Sequence, residues 1–277
     1  MKPVRFDYVR PTDLVSAVAA ASREDAVVKF LAGGQSLGPM LNLRLVQPDL
    51  LVDITGIVEL KRVDKTPEAI TIGSCITHAD IEDGRVPDVT GGALRKVAAG
   101  IAYRAVRNRG TIGGSLAHAD PAADWISALA ALGAEAIVQG VRQQRRLPVE
   151  MLMAGVFECS LAASELLSGI RVPRCSSAAR WGYYKSCRKA GDFAHAIGAY
   201  FHDPDRSVCR AVIGAVGGKP IVFTDARALY GGTADPEKPI DRKLVDQAMD
   251  AHGLTDPIEQ QIHFACLRRA IDQAERP

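Results

Sequence analysis

Ala32-Gly33-Gly34-Gln35-Ser36 and Thr111-Ile112-Gly113-Gly114-Ser115 are the two stretches on which the reading of this sequence turns. The first directly follows a short apolar run, Val27-Val28-Lys29-Phe30-Leu31, that reads as a strand. The second follows a basic loop, Arg107-Asn108-Arg109-Gly110. A pair of glycines removes two Cβ atoms and permits positive φ, so successive backbone N–H groups can converge on one anion. The serine that follows adds a hydroxyl donor, and a nearby arginine adds charge. One such segment alone is most simply a turn. Two of them, each running from an apolar residue through Gly-Gly to serine, suit the two halves of a pyrophosphate and so a dinucleotide.

Other phosphate-binding patterns are missing. No GxGxxG opens a strand-turn-helix, so a Rossmann nicotinamide site has no support. Gly214-Ala215-Val216-Gly217-Gly218-Lys219-Pro220 has the glycines and lysine of a P-loop at the wrong spacing, and Pro220 stands where a magnesium-binding hydroxyl belongs. A hairpin turn is the better reading of it.

Around these segments the first half alternates strand and helix signals. Leu50-Leu51-Val52-Asp53-Ile54, Ala69-Ile70-Thr71-Ile72-Gly73, Glu135 to Gln139 and Glu165 to Val172 read as strands. Leu94, Val97, Ala98 and Ile101 fall at helical spacing and predict an amphipathic helix over about 91–103. Asp120-Pro121 predicts an N-cap with proline at the first helical position, and Trp125, Leu129 and Leu132 form the buried stripe of that helix. Polar, turn-forming Pro173 to Ala178 marks a domain boundary. Beyond it lie three strand candidates, Ala179 to Lys185, Ala194 to His202 and Arg210 to Val216, and a hairpin into Ile221-Val222-Phe223. The tail is read as helical, with Ile258, Ile262 and Leu267 facing inward. The whole is an α+β pattern.

The 277 residues carry 34 Lys and Arg against 32 Asp and Glu. A net charge of +2 gives no whole-chain reason to expect nucleic acid or an anionic membrane as partner. With 47% apolar and 24% charged residues the composition is globular, which excludes a disordered chain. Apolar stretches fall well short of the roughly 20 residues a membrane-spanning helix needs, and the start lacks the apolar core of a secretion signal. Cys75, Cys159, Cys175, Cys187, Cys209 and Cys266 are scattered without a CxxC pair, so no iron–sulfur or zinc site is expected. Reduced thiols in the cytoplasm are the expectation.

The paired double-glycine segments resemble the signature of the FAD-binding medium subunits of molybdenum-containing hydroxylases, the group that holds the xanthine dehydrogenase and bacterial carbon monoxide dehydrogenase flavoproteins. Asn108-Arg109-Gly110, Ala119-Asp120-Pro121-Ala122-Ala123-Asp124, Glu165-Leu166-Leu167 and Lys185 to Gly191-Asp192-Phe193-Ala194 extend the resemblance over nearly the whole chain. It implies a two-part N-terminal FAD-binding domain of the vanillyl-alcohol-oxidase (PCMH) type, residues 1–175, with subdomains of 1–57 and 58–175. A C-terminal domain, 176–277, would follow as a three-stranded antiparallel sheet with helices.

The same resemblance implies that Ala32, Gly33, Gly34, Gln35 and Ser36, with Thr111, Ile112, Gly113, Gly114 and Ser115, hold the FAD pyrophosphate. His118 and Asp124 would lie near the ribityl chain or ribose, Leu167 near the adenine or flavin through its backbone, and Lys185 near the isoalloxazine. Position 193 commonly carries a tyrosine beside the ring; Phe193 keeps the stacking face and loses the hydroxyl. The function implied is an FAD-carrying electron-transfer subunit of a heterotrimeric hydroxylase. Its partners are a large molybdopterin subunit and a small subunit with 2Fe-2S clusters, arranged as a dimer of heterotrimers, and an external acceptor takes the electrons. The rivals are a self-sufficient FAD-dependent oxidoreductase of the same fold and a nonenzymatic nucleotide-binding module.

Without the resemblance several of these residues have plainer readings. Asp124 is a first-turn carboxylate favoured by the helix dipole, His118 a helix-entry polar residue, and Lys185 a solvated strand side chain. His195 and His202 fall on opposite faces of one alternating strand, which argues against a metal pair. Arg142, Arg145 and Arg146 form a basic, solvated turn. No triad or carboxylate pair stands out, as suits a chain that relays electrons through a bound group and moves no substrate proton.

Overall fold

A computed structural model describes residues 2–233 and 238–275. Parallel strands open the chain: β1 (Asp7–Val9), β2 (Val28–Leu31) and β3 (Leu50–Asp53), in the order β1-β3-β2. Parallel neighbours need a crossover, and helix α1 (Leu14–Ala21), capped by the Asp13 carboxylate accepting from the Ser16 N–H, lies between β1 and β2. Leu50-Leu51-Val52 is apolar at every position because β3 is the central strand and is buried throughout. Helix α2 (Leu37–Asn42) leaves β2 through the first double-glycine segment. That segment therefore stands at the carboxyl end of a parallel strand, where open α/β sheets place ligands.

The second sheet is antiparallel. Its strands β4 (Val63–Lys65), β5 (Ala69–Gly73), β6 (Glu135–Gln139), β7 (Gln144–Pro148) and β10 (Leu166–Pro173) run in the order β4-β5-β10-β6-β7, and a hairpin of β8 (Met153–Gly155) and β9 (Glu158–Cys159) lies apart. Between β5 and β6 come α3 (His78–Glu82), α4 (Ala93–Ala99), α5 (Arg104–Arg107), α6 (Ile112–His118) and α7 (Asp124–Ala131). Ile70, Ile72, Ile112, Trp125, Leu129 and Ile170 are fully buried together in the core that joins these helices to the sheet.

Two boundaries differ from the sequence expectation. Helix α4 is shorter than 91–103: Gly92 (φ +86°) precedes it and Gly100 ends it, and Ile101 leaves to bridge Gly191. Asp120 does not cap α7. Its carboxylate accepts from the Ala122 N–H and its carbonyl from the Ala123 N–H, which closes a turn before the helix.

Beyond Pro173, the Ser176 N–H and hydroxyl donate to the Asp203 carboxylate at 2.8 and 2.7 Å and pin the polar connection. The third sheet is then an antiparallel meander of β11 (Arg180–Ser186), β12 (Ala196–Asp203), β13 (Val208–Gly214) and β14 (Ile221–Phe223). It has four strands rather than three, because Ile221–Phe223 continues the ladder onto β13. Helix α7 packs on one face, and α9 (Pro257–Glu275), preceded by α8 (Arg242–Ala251), packs on the other. Leu267 faces inward as expected, but Ile258 is 73% exposed and Ile262 is also exposed. The buried stripe of α9 is instead His263, Cys266, Leu267, Ala270, Ile271 and Ala274. Small residues face the sheet because the backbones nearly touch. A Cβ on Gly182 of β11 would fall 1.8 Å from the Ala270 carbonyl oxygen, and one on Gly198 of β12 would fall 2.3 Å from that of Cys266.

Candidate functional site

The two double-glycine segments meet. A Cβ on Gly33 would lie 2.0 Å from the Arg109 carbonyl oxygen and 2.9 Å from Gly110 Cα, and one on Gly114 would lie 3.7 Å from Ala32 Cβ. Gly34 takes φ +72°, as a glycine pair at a turn allows. Among the described residues the backbone N–H groups of Gly33, Gly34, Gln35 and Ser36 find no intrachain acceptor. The Gln35 side chain donates to the Gly33 carbonyl at 3.3 Å, and Ser36 stands at the start of α2 without a side-chain capping bond. The segment thus presents successive free donors.

The second segment works differently from expectation. Thr111 is the N-cap of α6 and its hydroxyl oxygen accepts from the Gly114 N–H at 3.0 Å. The Gly113 N–H donates to the Ser74 carbonyl and the Ser115 N–H to that of Thr111, each at 3.0 Å. Gly113 and Gly114 are therefore helical, without positive φ, and their N–H groups are already used. Gly113 is required by proximity, since a Cβ there would fall 2.4 Å from Ser74 Cβ. What Thr111–Ser115 offers an anion is hydroxyl groups and a close-fitting surface.

The basic loop before it is largely structural. Arg107 donates twice to Glu82, at 2.7 and 3.0 Å, and once each to the Ile101 and Ala102 carbonyls. Arg104 forks onto Asp83 and reaches Glu82, and the Arg104 guanidinium holds the Asp83 carboxyl down at about 2. Arg109 is exposed and, among the described residues, makes no ion pair.

Asp124 and Lys185 form a pair that neither plain reading describes. Asp124 opens α7 and Lys185 sits on β11, yet their side chains are 9% and 10% exposed and lie 3.0 Å apart. The Tyr183 hydroxyl donates to Asp124 at 2.7 Å, and Lys185 also donates to the Gly100 carbonyl at 3.1 Å. Burial raises the Asp124 carboxyl, with the Lys185 ammonium and the Tyr183 hydroxyl pulling the other way. The cluster ties the third sheet to α7.

His118 ends α6, half-buried, its ring centroid 5.1 Å from that of Phe157, and burial lowers its basicity. Leu167 is buried on β10, opposite Val138 and beside a bulge, on the strand that α6 packs against. Phe193 is 69% exposed. Its loop is held to the α4–α5 connection at Gly191, where a Cβ would fall 2.3 Å from the Ala102 carbonyl oxygen. His195 precedes β12 and is exposed, whereas His202 lies on β12, 3.4 Å from Glu275, so the two do not share a strand. Arg145 pairs with Glu165 across the second sheet and is no solvated turn residue. Among the described residues no group of His, Cys, Asp and Glu could hold a metal.

The sequence reading passed over His78. It opens α3 behind a Thr77–Asp80 capping box, and its Nδ1 accepts from the Trp125 indole N–H at 3.1 Å. The capping box is the one local signal for it; the partner, Trp125, is remote in sequence.

Free backbone donors at a strand end, in contact with the second glycine segment, are an arrangement that can receive a phosphate-bearing ligand. The sequence model of the family described as "FAD binding domain in molybdopterin dehydrogenase" matches residues 4–175, which include both segments. Caffeine dehydrogenase subunit beta from Pseudomonas sp. (strain CBB1) is 32% identical over 286 aligned residues, covering 99% of this chain and 96% of its own. Carbon monoxide dehydrogenase from Hydrogenophaga pseudoflava, solved without the Mo-pyranopterin moiety of its molybdenum cofactor, superposes with a TM-score of 0.85 at 28% identity, covering 99% of this chain and 98% of its own. Quinoline 2-oxidoreductase from Pseudomonas putida 86 superposes with a TM-score of 0.83 at 30% identity, again covering 99% and 98%. Pattern, geometry and likeness agree, and the chain belongs to the family of FAD-binding domains of molybdopterin dehydrogenases.

Proposed function

We propose that this chain is the FAD-carrying electron-transfer subunit of a heterotrimeric molybdenum hydroxylase. The observation that carries this reading is the contact of Gly33 with the Arg109–Gly110 backbone, which sets four free N–H groups beside the Thr111–Ser115 segment. The residues fit FAD. The N–H groups of Gly33, Gly34, Gln35 and Ser36, with the hydroxyls of Ser36, Thr111 and Ser115, would hold the pyrophosphate, and Ala32, Ile112, Gly113 and Gly114 give the close surface. His118, Asp124, Leu167 and Lys185 would line the rest, and Phe193, which is exposed, would offer an aromatic face to the ring system. FAD supplies the conversion between two-electron and one-electron transfer. This chain's own work is to bind, orient and cover the group, and no side chain needs to move a substrate proton.

Electrons would come from 2Fe-2S clusters of a small partner subunit, fed by a large molybdopterin subunit, and leave to an external acceptor. The name of the caffeine dehydrogenase relative, a subunit beta, supports an assembly. We place the trimers in a dimer and in the cytoplasm; the cysteines among the described residues are all free, as suits a reducing compartment. Among the described residues no helix is long and apolar enough to cross a membrane. The FAD-binding domain would run from 1 to 175, with subdomains 1–57 and 58–175 of the vanillyl-alcohol-oxidase type, and the third sheet with its helices would form a C-terminal domain of 176–277. Separate parallel and antiparallel sheets and a family match ending at 175 support that division.

The test is purification from the native host with the neighbouring subunits. The expected result is one co-purifying assembly whose FAD, bound noncovalently, is bleached by an organic substrate only in the complex. Bleaching of the isolated chain by such a substrate would replace this reading with the self-sufficient oxidoreductase.

A further inference from the structure

We infer that His78 is a positioning residue for the nucleotide site, setting the spacing of the two glycine segments and so the grip on FAD. The inference rests on the FAD reading above. Segment 74–78 backs the second glycine segment along its length. The Gly113 N–H donates to the Ser74 carbonyl, the Ile112 N–H to that of Ile76, and the His78 N–H to that of Gly110, at 3.0, 3.0 and 2.9 Å. At the end of this seam the His78 ring presses on Gly110. A Cβ on Gly110 would fall 2.9 Å from His78 Cδ2 and 3.0 Å from its Nε2. Gly110 also meets Gly33, where a Cβ would fall 2.9 Å from Gly110 Cα. Gly110 thus touches both the His78 ring and Gly33, so the position of the imidazole is passed to the joint between the two segments.

The ring is anchored through its Nδ1. The Trp125 indole N–H can only donate, so Nδ1 accepts it and the ring proton resides on Nε2. Burial and the neighbouring Arg107 charge hold His78 down at about 4, so it stays neutral and the bond to Trp125 persists near neutral pH. Trp125 follows Asp124 at the start of α7. One helix terminus therefore serves both sides of the site: Asp124 holds the third sheet through Lys185 and Tyr183, and Trp125 holds the glycine segments through His78.

The experiment is titration of the deflavinated full-length chain with FAD, read by flavin fluorescence. Loss of one buried hydrogen bond at this position should weaken binding by about tenfold in Trp125→Phe and by at least as much in His78→Leu. His78→Asn, whose Oδ1 can take the Trp125 N–H in place of Nδ1, should recover most of the affinity. Combining Trp125→Phe with His78→Leu should add nothing beyond His78→Leu alone. Tyr200→Phe, which removes a buried hydrogen bond to Cys209 in the third sheet, should lower the melting temperature and leave FAD affinity unchanged. Unchanged affinity in Trp125→Phe, no recovery in His78→Asn, or equal loss in Tyr200→Phe would each overturn the positioning role. Should His78→Leu not fold, Trp125→Phe and His78→Asn carry the test. A wild-type chain that takes up no FAD would give a different result, overturning the functional reading and this inference with it.

Discussion

Gly33 faces the carbonyl oxygen of Arg109 so closely that any Cβ there would fall 2.0 Å away. The obstacle is backbone on both sides, so no side chain can swing aside to make room. Gly33→Ala should therefore push the two segments apart and strip the chain of FAD, although alanine suits the φ of this position. Gly218→Ala meets open space and needs no positive φ, and should leave flavin content unchanged. The flavin-to-protein ratio after gel filtration, taken beside the melting temperature, decides the matter. Full flavin in Gly33→Ala would remove the contact from the account of the site.

The Asp124–Lys185 pair is nearly dry, so removing one member leaves an uncompensated buried charge. Lys185→Met should destabilise the chain by about 3 kcal/mol in urea unfolding, the usual cost of breaking such a pair. Asp124→Asn combined with Lys185→Met should restore a large part of that loss, because both charges are then gone. A double variant no better than Lys185→Met alone would mean that the pair is not coupled across the sheet and helix.

Much of the fold is legible locally. Ala69–Gly73, Glu135–Gln139 and Ile221–Phe223 are strands with the bounds that their apolar patterns predict. The glycine segments are legible too, since few other residue pairs permit such close approach. What fails is whatever depends on a remote partner. Lys185 looks solvated until Asp124 arrives from another element, and Arg107 looks available to a phosphate until Glu82 takes it. The inward face of α9 departs from the apolar pattern at Ile258 and Ile262 for a related reason. Counting large apolar residues selects Ile258 and Ile262, but the face that packs on Gly182 and Gly198 runs through His263, Cys266, Leu267, Ala270, Ile271 and Ala274, with Ala270 and Cys266 where the backbones approach most closely.

That contact predicts an inverted substitution pattern. Gly182→Ala adds one methyl group yet sets it 1.8 Å from the Ala270 carbonyl oxygen, and should cost about 3 kcal/mol or more, in the upper range for overpacking. Ile258→Ser removes a large apolar side chain from solvent and should change stability by no more than about 0.5 kcal/mol. Urea midpoints of the two variants are enough to check the order. If Ile258→Ser proves the more damaging, α9 is rotated relative to the sheet as described.

Acid should weaken the chain before the carboxylates that arginine holds low begin to titrate. Burial, joined at His78 by the Arg107 charge, holds His78 and His263 at about 4, against 6.5 for a free imidazole. Both folded-state values are depressed, so above pH 6.5 the histidines are neutral in both states and impose no penalty. As pH falls from 6.5 towards 4, the unfolded chain takes up protons that the folded chain refuses, and stability declines. Each full shift corresponds to about 3 kcal/mol, so the two together approach about 6 kcal/mol once the pH has fallen below both folded-state values. Asp124 acts with the opposite sign, since its raised carboxyl binds a proton in the folded state first, and it offsets part of the loss. Carboxylates held low by arginine, such as Asp83, weaken the fold only below this range. Urea unfolding of the flavin-free chain at about pH 7 and about pH 4.5 measures the decline. His263→Leu should flatten it by about half, since it deletes one of the two buried proton acceptors. A decline of the same size in wild type and His263→Leu would assign the acid sensitivity elsewhere.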